Sequence, residues 1–426
     1  MNSRYIVNSE INDLNSVLVH TPGIEHSYLL PENTFPYITK NNQIISNEDF
    51  LLFDDLIDVK QAKSEHKELK DILKNQTSGN CLEFSDLLKD VLNLDHVKKK
   101  IIIDCAILEE NLNGASLSKE KINTLKKMDP NDLAVVLISG RDPKTNTTFF
   151  KYPLVNLIYT RDIAVVIGSL IIVTWANKIV RNRENILTKY IFKYNELFSN
   201  EDVYVFNDNH PGLSIEGGDF MVPNDETVLI GVSERTTLDA IKLISQKIFD
   251  QGFKEIYGIE LPKKRSLMHL DTVITSIDES EFIVFPPILE GKSYHYNVHR
   301  ITENSCNIIP ETDLKNVLVR LFKSKRDLSL IKCGSDNKTN QLREQWTDGA
   351  NAFTLSPGKI IGYDHNIFTI KELENNGYSI TKPHDFNSTN TDNHDNLFIG
   401  ISGLELGRGR GGPRCLTLPL SRSIDE

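Results

Sequence analysis

The chain has 426 residues, 39% of them hydrophobic and 25% charged, with a formal net charge of −11. This acidic balance argues against a protein that holds nucleic acid through a basic surface, and the length suffices for one large domain or two. The five cysteines (Cys81, Cys105, Cys306, Cys333, Cys415) are scattered and form no C-x-x-C pair. Neither a disulfide framework nor a zinc site is expected, and a reducing cytoplasm fits best.

The first twenty residues show no positive lead followed by an apolar run, so no secretion signal is expected. The segments 34–50 and 382–396 are polar and Asn-rich and read as loops. Residues 84–148 carry helical patterns, with Ser85 and Ser118 as capping candidates, and read as an inserted helical domain. The insertion divides a catalytic body into 1–83 and 149–426. Within that body, residues 157–176, 214–233, 267–286 and 348–366 each read as strand, tight turn, strand. Two of these hairpins lead into amphipathic helices at 181–198 and 233–253. The chain therefore reads as repeated ββα-type modules. Its most apolar stretch, 163–176, is too short to span a bilayer, and no membrane partner is expected.

Near the end stands "GRGRGGPRC", residues 407–415. Its G-x-G-x-x-G spacing lacks the strand-to-helix context of a dinucleotide site, since Pro413 follows at once. The glycines are expected to form a tight loop of positive-φ residues before a last strand. Cys415 lies among Arg410 and Arg414, which would stabilise a thiolate. Its proton-transfer partner is expected to be His269, which opens a strand and shares a face with Asp271 at i, i+2.

Acids recur at the same hairpin position: Asp162 in "YTRD", Glu216 and Asp219 in "IEGGD". An acid entering an apolar strand is costly unless it meets a cation. Three such positions in register point to a cavity for a cation, and carboxylates with a His and a Cys point to a planar guanidinium. Arg181 lies 19 residues after Asp162, and Arg235 lies 19 after Glu216. With Asn156 they are placed to bind an anionic end of the same molecule.

The segments "NLIYTRD", "RNRE", "IEGGD", "GVSERT", "MHLDTV", "REQWTDGAN" and "ELGRGRGGPRC", with N-terminal "SEINDLNSVLVHTPG" and "LFDDLIDVKQAKSEH", resemble the arginine deiminases over essentially the full length. The resemblance implies a five-bladed pseudo-symmetric α/β propeller of ββαβ-type modules with an inserted helical domain. It implies hydrolysis of L-arginine to citrulline and ammonia through a covalent S-alkylthiouronium, with no metal or organic cofactor. By the same resemblance Cys415 is the nucleophile and His269 the general acid/base. Glu216 binds the guanidinium and moves protons, and Asp162 and Asp271 clamp its nitrogens. Asn156, Arg181 and Arg235 hold the substrate carboxylate, Asp219 lines the site, and Arg410 stands beside the cysteine. A homo-oligomer, dimer or tetramer, is expected, with no nucleic-acid partner.

Three departures from the family pattern stand out: Leu416-Thr-Leu-Pro419 replaces Met-Ser-Met-Pro, Tyr159 replaces Phe, and the stretch 31–52 is longer. The alternatives are a related guanidino-modifying enzyme (an amidinotransferase, agmatine deiminase or methylarginine hydrolase) or a catalytically silent binding paralogue. The Arg181/Arg235 pair argues against agmatine, which lacks the carboxylate.

Overall fold

The computed structural model describes residues 4–40, 42–289, 294, 296–309, 313–322, 328–388 and 396–424. Five sheets of three or more strands share one plan: an antiparallel pair, then a strand parallel to its second member. In the second sheet, Ala164–Ile167 pairs with Leu170–Val173, and the chain returns through helix Asn182–Tyr194 to Asp202–Val205. In the third, Phe220–Asn224 and Thr227–Val232 are followed by helix Leu238–Phe249 and strand Glu255–Glu260, and a further hairpin extends the edge. The fourth uses Ile274–Asp278, Glu281–Val284 and Ser329–Lys332; the fifth uses Phe353–Ser356, Lys359–Tyr363, Leu397–Ile401 and Ser379–Thr381. The first joins the chain ends: Leu14–Val19 is antiparallel to Leu418–Arg422 and parallel to Cys81–Glu83.

Strands such as Ala164–Ile167 and Leu170–Val173 are short and apolar because they are covered on both faces. Every residue of Leu170–Val173 is buried, where a half-exposed strand would alternate. Helix Leu238–Phe249 shows how the layers are sealed. Its N-cap Thr237 accepts a hydrogen bond from the Ala240 N–H at 3.1 Å. Ala240, Ile241, Ile244 and Ile248 then recur on one face, packed in a cluster with Val228 and Ile230 of the third sheet and Val165 and Ile167 of the second. No helix among the described residues is long and apolar enough to cross a membrane.

The hairpins at 157–176, 214–233, 267–286 and 348–366 form as the sequence suggests. Two loop expectations do not hold. Tyr37–Lys40 and Gln43–Ser46 pair as a hairpin, and Pro383–Ser388 is helical; residues 389–395 lie outside the described residues. β-Branched Ile38, Thr39, Ile44 and Ile45 supply the strand tendency that the surrounding asparagines mask. In the 84–148 region, helices Phe84–Leu92, Asp95–Asn113, Lys119–Lys127 and Pro130–Ser139 form. Ser118 caps the third through the Lys121 N–H at 3.2 Å, whereas Ser85 lies inside the first, whose N-cap is Glu83. These helices share one apolar cluster with Leu187 and Ile191 of Asn182–Tyr194.

Candidate active site

The polar residues stand just before the first strand of successive sheets, where the chain enters each hairpin. Asp219 and Asp271 lie on the short 3₁₀ turns Gly217–Asp219 and Leu270–Thr272, and Glu216 and His269 precede them as N-caps. His269 and Asp271 therefore do not share a strand face: the strand begins only at Ile274, and the turn carries the Asp271 side chain behind the cysteine. The glycines of "IEGGD" are required by close approach. A Cβ on Gly217 would come within 2.0 Å of the Arg161 carbonyl oxygen, and one on Gly218 within 2.6 Å of His269 Nδ1.

The 407–415 loop follows the same rule. Of its residues only Arg410 has positive φ, at 72°, so the positive-φ expectation for the glycines fails. Their smallness has a different cause. A Cβ on Gly409 or Gly411 would lie 2.3 Å from the Phe53 or Tyr159 ring, and one on Gly412 2.7 Å from the Asn351 carbonyl oxygen. The loop is threaded between rings and backbone to deliver Cys415, whose N–H donates to Asn351 Oδ1 at 3.1 Å.

Around the sulfur the charges are mostly negative. Cys415 Sγ lies 3.5 Å from Asp271 Oδ2. Burial, then Asp271, Asp162 and Asp348, push the thiol well above its ordinary value, and Arg414 opposes them only weakly. The expectation that Arg410 and Arg414 hold a ready thiolate is therefore corrected. Arg414 is taken up by two carboxylates, Glu10 at 2.6 Å and Asp271 at 2.8 Å. Arg410 stacks 3.9 Å from the Trp346 ring centroid and donates to the Trp346 carbonyl.

His269 Nε2–H donates to Glu216 Oε2 at 3.0 Å, and its Nδ1 lies 3.6 Å from Asp162 Oδ1. Burial alone would lower the imidazole, but Asp162 and Glu216 outweigh it and raise it to about 9. Burial acts to raise the Glu216 carboxyl, yet Arg235, His269 and Arg181 hold it well below the usual carboxylate range. The Glu216 Oε1 atom accepts from the Asn177 N–H at 3.0 Å. Asp219 stands behind the cavity wall, accepting from the Ser233 hydroxyl at 2.7 Å and the Leu270 N–H at 3.0 Å, and burial raises it to about 7.

Arg181 donates to Asp162 at 2.7 Å, to Glu184 at 2.9 and 3.0 Å, and to the Asn156 carbonyl at 3.3 Å. Arg235 lies 3.6 Å from Glu216. Asp162, Glu216 and His269 each offer an atom within 4.8 Å of the others and could ligate a metal ion. The same carboxylates, however, already carry guanidinium groups, the geometry of a guanidinium receptor. Five buried carboxylate oxygens have no hydrogen-bond partner among the described residues, on Asp54, Asp162, Glu184, Asp271 and Asp348; of these, Asp162 Oδ1 and Asp271 Oδ1 belong to the carboxylates beside His269 and Cys415.

Asn156, Asp162, Arg181, Arg235, His269, Arg410 and Cys415 line one cavity of about 20 Å³, which Leu52, Tyr159, Arg265 and Met268 complete. That is room for about one water, so an amino-acid ligand requires these side chains to part. Sequence reasoning did not single out Arg265 or Leu52. Arg265 donates to Asp54 at 2.9 Å and to the Leu52 carbonyl at 2.8 Å, and Leu52 is held at φ 62°. The signal was present in "LLFDD", but a leucine at positive φ leaves no mark in a sequence pattern.

The chain matches the arginine deiminase family over residues 49–422. An arginine deiminase from Listeria monocytogenes serotype 4a (strain HCC23) is 31% identical, covering 98% of this chain and 97% of its own. One from Mycoplasma capricolum subsp. capricolum is 30% identical, covering 99% and 98%. Among solved structures, SxtG, an amidinotransferase from Microseira wollei in the saxitoxin biosynthetic pathway, aligns over 99% of this chain and 98% of its own, with a TM-score of 0.51 at 13% identity. At that identity the likeness concerns the mixed α/β fold.

Proposed function

The chain belongs to the arginine deiminase family, and on that premise we propose how its site converts L-arginine to L-citrulline and ammonia. The observation that carries the reading is that Asp162 Oδ1 and Asp271 Oδ1 accept no hydrogen bond among the described residues, the first lying 3.6 Å from His269 Nδ1, with Cys415 Sγ 3.5 Å from the second carboxylate. Buried acceptors without donors suit the N–H groups of a guanidinium.

In this reading the substrate guanidinium is clamped by Asp162 and Asp271, with Glu216 beneath it. Its positive charge offsets the carboxylates that keep the Cys415 thiol protonated, so when the substrate arrives the thiol gives up its proton to solvent and the thiolate forms. The sulfur adds to the guanidinium carbon. His269, an imidazolium at neutral pH, passes a proton to one terminal nitrogen, and the C–N bond breaks to release ammonia. The S-alkylthiouronium remains. Neutral His269 then takes a proton from water, the hydroxide adds to the same carbon, and the C–S bond breaks as the hydroxyl proton passes to the departing sulfur, which restores the Cys415 thiol and releases citrulline. No metal or organic cofactor takes part in this scheme.

Asn156, Arg181 and Arg235 receive the substrate carboxylate, Arg410 closes the cavity beside Cys415, and Asp219 holds the turn that carries His269. Because Arg181 rests on Asp162 here, binding requires its guanidinium to move from the clamp to the substrate carboxylate. We read the five sheets of common plan as blades of a five-bladed pseudo-symmetric propeller, and residues 84–148 as a helical domain inserted between 1–83 and 149–426. The protein acts in the cytoplasm as a homo-oligomer; five free cysteines support a reducing compartment.

Incubation of the purified protein with L-arginine, agmatine and methylarginines, followed by citrulline and ammonia assay, tests the reading. Citrulline should form from L-arginine and not from agmatine, and Cys415→Ser should lose all turnover. Undiminished turnover by Cys415→Ser, or none from L-arginine by the parent protein, would overturn it.

A further inference from the structure

The N-terminal segment contributes nothing to the cavity wall, yet it reaches the site from behind. Glu10 is 6% exposed, and its N–H donates to the Val222 carbonyl at 2.8 Å. Its two carboxylate oxygens accept from Arg414 Nε at 3.2 Å and Nη2 at 2.6 Å. The same guanidinium donates from Nη2 to the Phe220 carbonyl at 2.5 Å and from Nη1 to Asp271 Oδ2 at 2.8 Å. That Oδ2 lies 3.5 Å from the Cys415 sulfur. One cation is thus divided between a carboxylate 404 residues away in the chain and the carboxylate beside the nucleophile.

The division decides how much charge Asp271 presents. Were Arg414 paired with Asp271 alone, the pair would be neutral and would hold an incoming cation weakly. With Glu10 taking two of the guanidinium's bonds, Arg414 is shared between two carboxylates and less of its charge falls on Asp271. Arg161 Nη1 lies 4.0 Å from Glu10, and Arg422 also bears on it. The charged groups that bear on Cys415 are Asp271, Asp162, Asp348 and Arg414, and Arg181, Arg235, Arg265, His269 and Arg410 line the same cavity.

We propose that Glu10 is a positioning residue of the reaction: through Arg414 it fixes Asp271 beside the Cys415 sulfur and leaves that carboxylate its charge for the incoming guanidinium. The proposal rests on the roles of Cys415 and Asp271 given above. Loss of the Glu10 charge has two consequences. Arg414 falls wholly on Asp271, so arginine binds more weakly. Its uncompensated charge also reaches the thiol, which then ionises at lower pH. A purely structural loss moves neither in this pattern.

The test uses the full chain with Cys306→Ser, since Cys306 is the exposed cysteine and the other four are buried. Iodoacetamide alkylation of Cys415 is followed against pH by peptide mass mapping, beside steady-state kinetics with L-arginine. Glu10→Gln should lower the alkylation midpoint by about one pH unit and raise KM about tenfold, with a smaller effect on kcat. Glu10→Asp keeps the charge but draws it one methylene back from Arg414. It serves if Glu10→Gln does not fold, and should raise KM by about twofold to threefold and lower the midpoint by a fraction of a pH unit. If L-arginine protects Cys415 in the parent protein and the midpoint of a folded variant stays fixed or rises, the role of Glu10 is overturned. If L-arginine gives the parent no protection, the site assignment falls and this proposal with it.

Discussion

His269 joins two demands that conflict in water: it must carry a proton at neutral pH, and it must be buried. Burial opposes the charge, and Asp162 with Glu216 restores it, so the imidazole titrates near 9. As the folded value lies above the unfolded 6.5, its pairing stabilises the fold fully below that pH and is lost as pH rises through about 9. The alkaline limb of kcat/KM should accordingly fall near pH 9 in the free enzyme. Glu216→Gln removes a carboxylate that favours the imidazolium and should bring the limb to lower pH. A limb that stays in place in this variant would separate His269 from the proton transfer. The thiol behaves inversely: Asp162, which favours the imidazolium, joins Asp271 and Asp348 in holding it protonated until a cation arrives.

Among the elements, the turns that carry the site are tighter than their sequences suggest. Gly218→Ala places a Cβ 2.6 Å from His269 Nδ1 and 2.9 Å from Asp162 Oδ1, both side-chain atoms that can move. It should leave the fold standing, at a cost of about 1–3 kcal/mol, and reduce kcat/KM about 100-fold by displacing the imidazole. Gly217→Ala meets the Arg161 backbone carbonyl at 2.0 Å, which cannot yield in the same way. It should cost about 3 kcal/mol or more, read as a lowered thermal midpoint. The reverse ranking of stability loss would contradict this account of the two glycines. The hairpins were legible because apolar runs and turn residues alternate at short range. The 3₁₀ turn at Leu270–Thr272 was not, since i, i+2 spacing before a strand looks like the strand itself. The loop at 407–415 misled in a similar way. Its glycines suggested positive φ, but the constraint comes from Phe53, Tyr159 and Asn351, remote in sequence. The exposed hairpin at Tyr37–Ser46 lies within the 31–52 stretch that departs from the family pattern, and its asparagines hid its strands.

Across the whole molecule, the chain ends meet where the chemistry is. Leu14–Val19 pairs with Leu418–Arg422, Arg422 donates to the Asn12 carbonyl, and Glu10 holds Arg414 one residue before Cys415. The cysteine near the end of the sequence is thus fixed by residues at its beginning, a link no local pattern carries. All ten residues picked out by the sequence lie in or directly behind one cavity, because repeated modules bring the turns before their first strands and the segments after their hairpins to the same place. The central claim is that Cys415 attacks the substrate guanidinium carbon. Rapid acid quenching of the protein during turnover of L-arginine, followed by peptide mass mapping, tests it most directly. The account predicts an adduct of arginine less ammonia on the peptide holding Cys415, absent from Cys415→Ser. Steady citrulline formation with that adduct on another residue, or with Cys415→Ser still active, would contradict it.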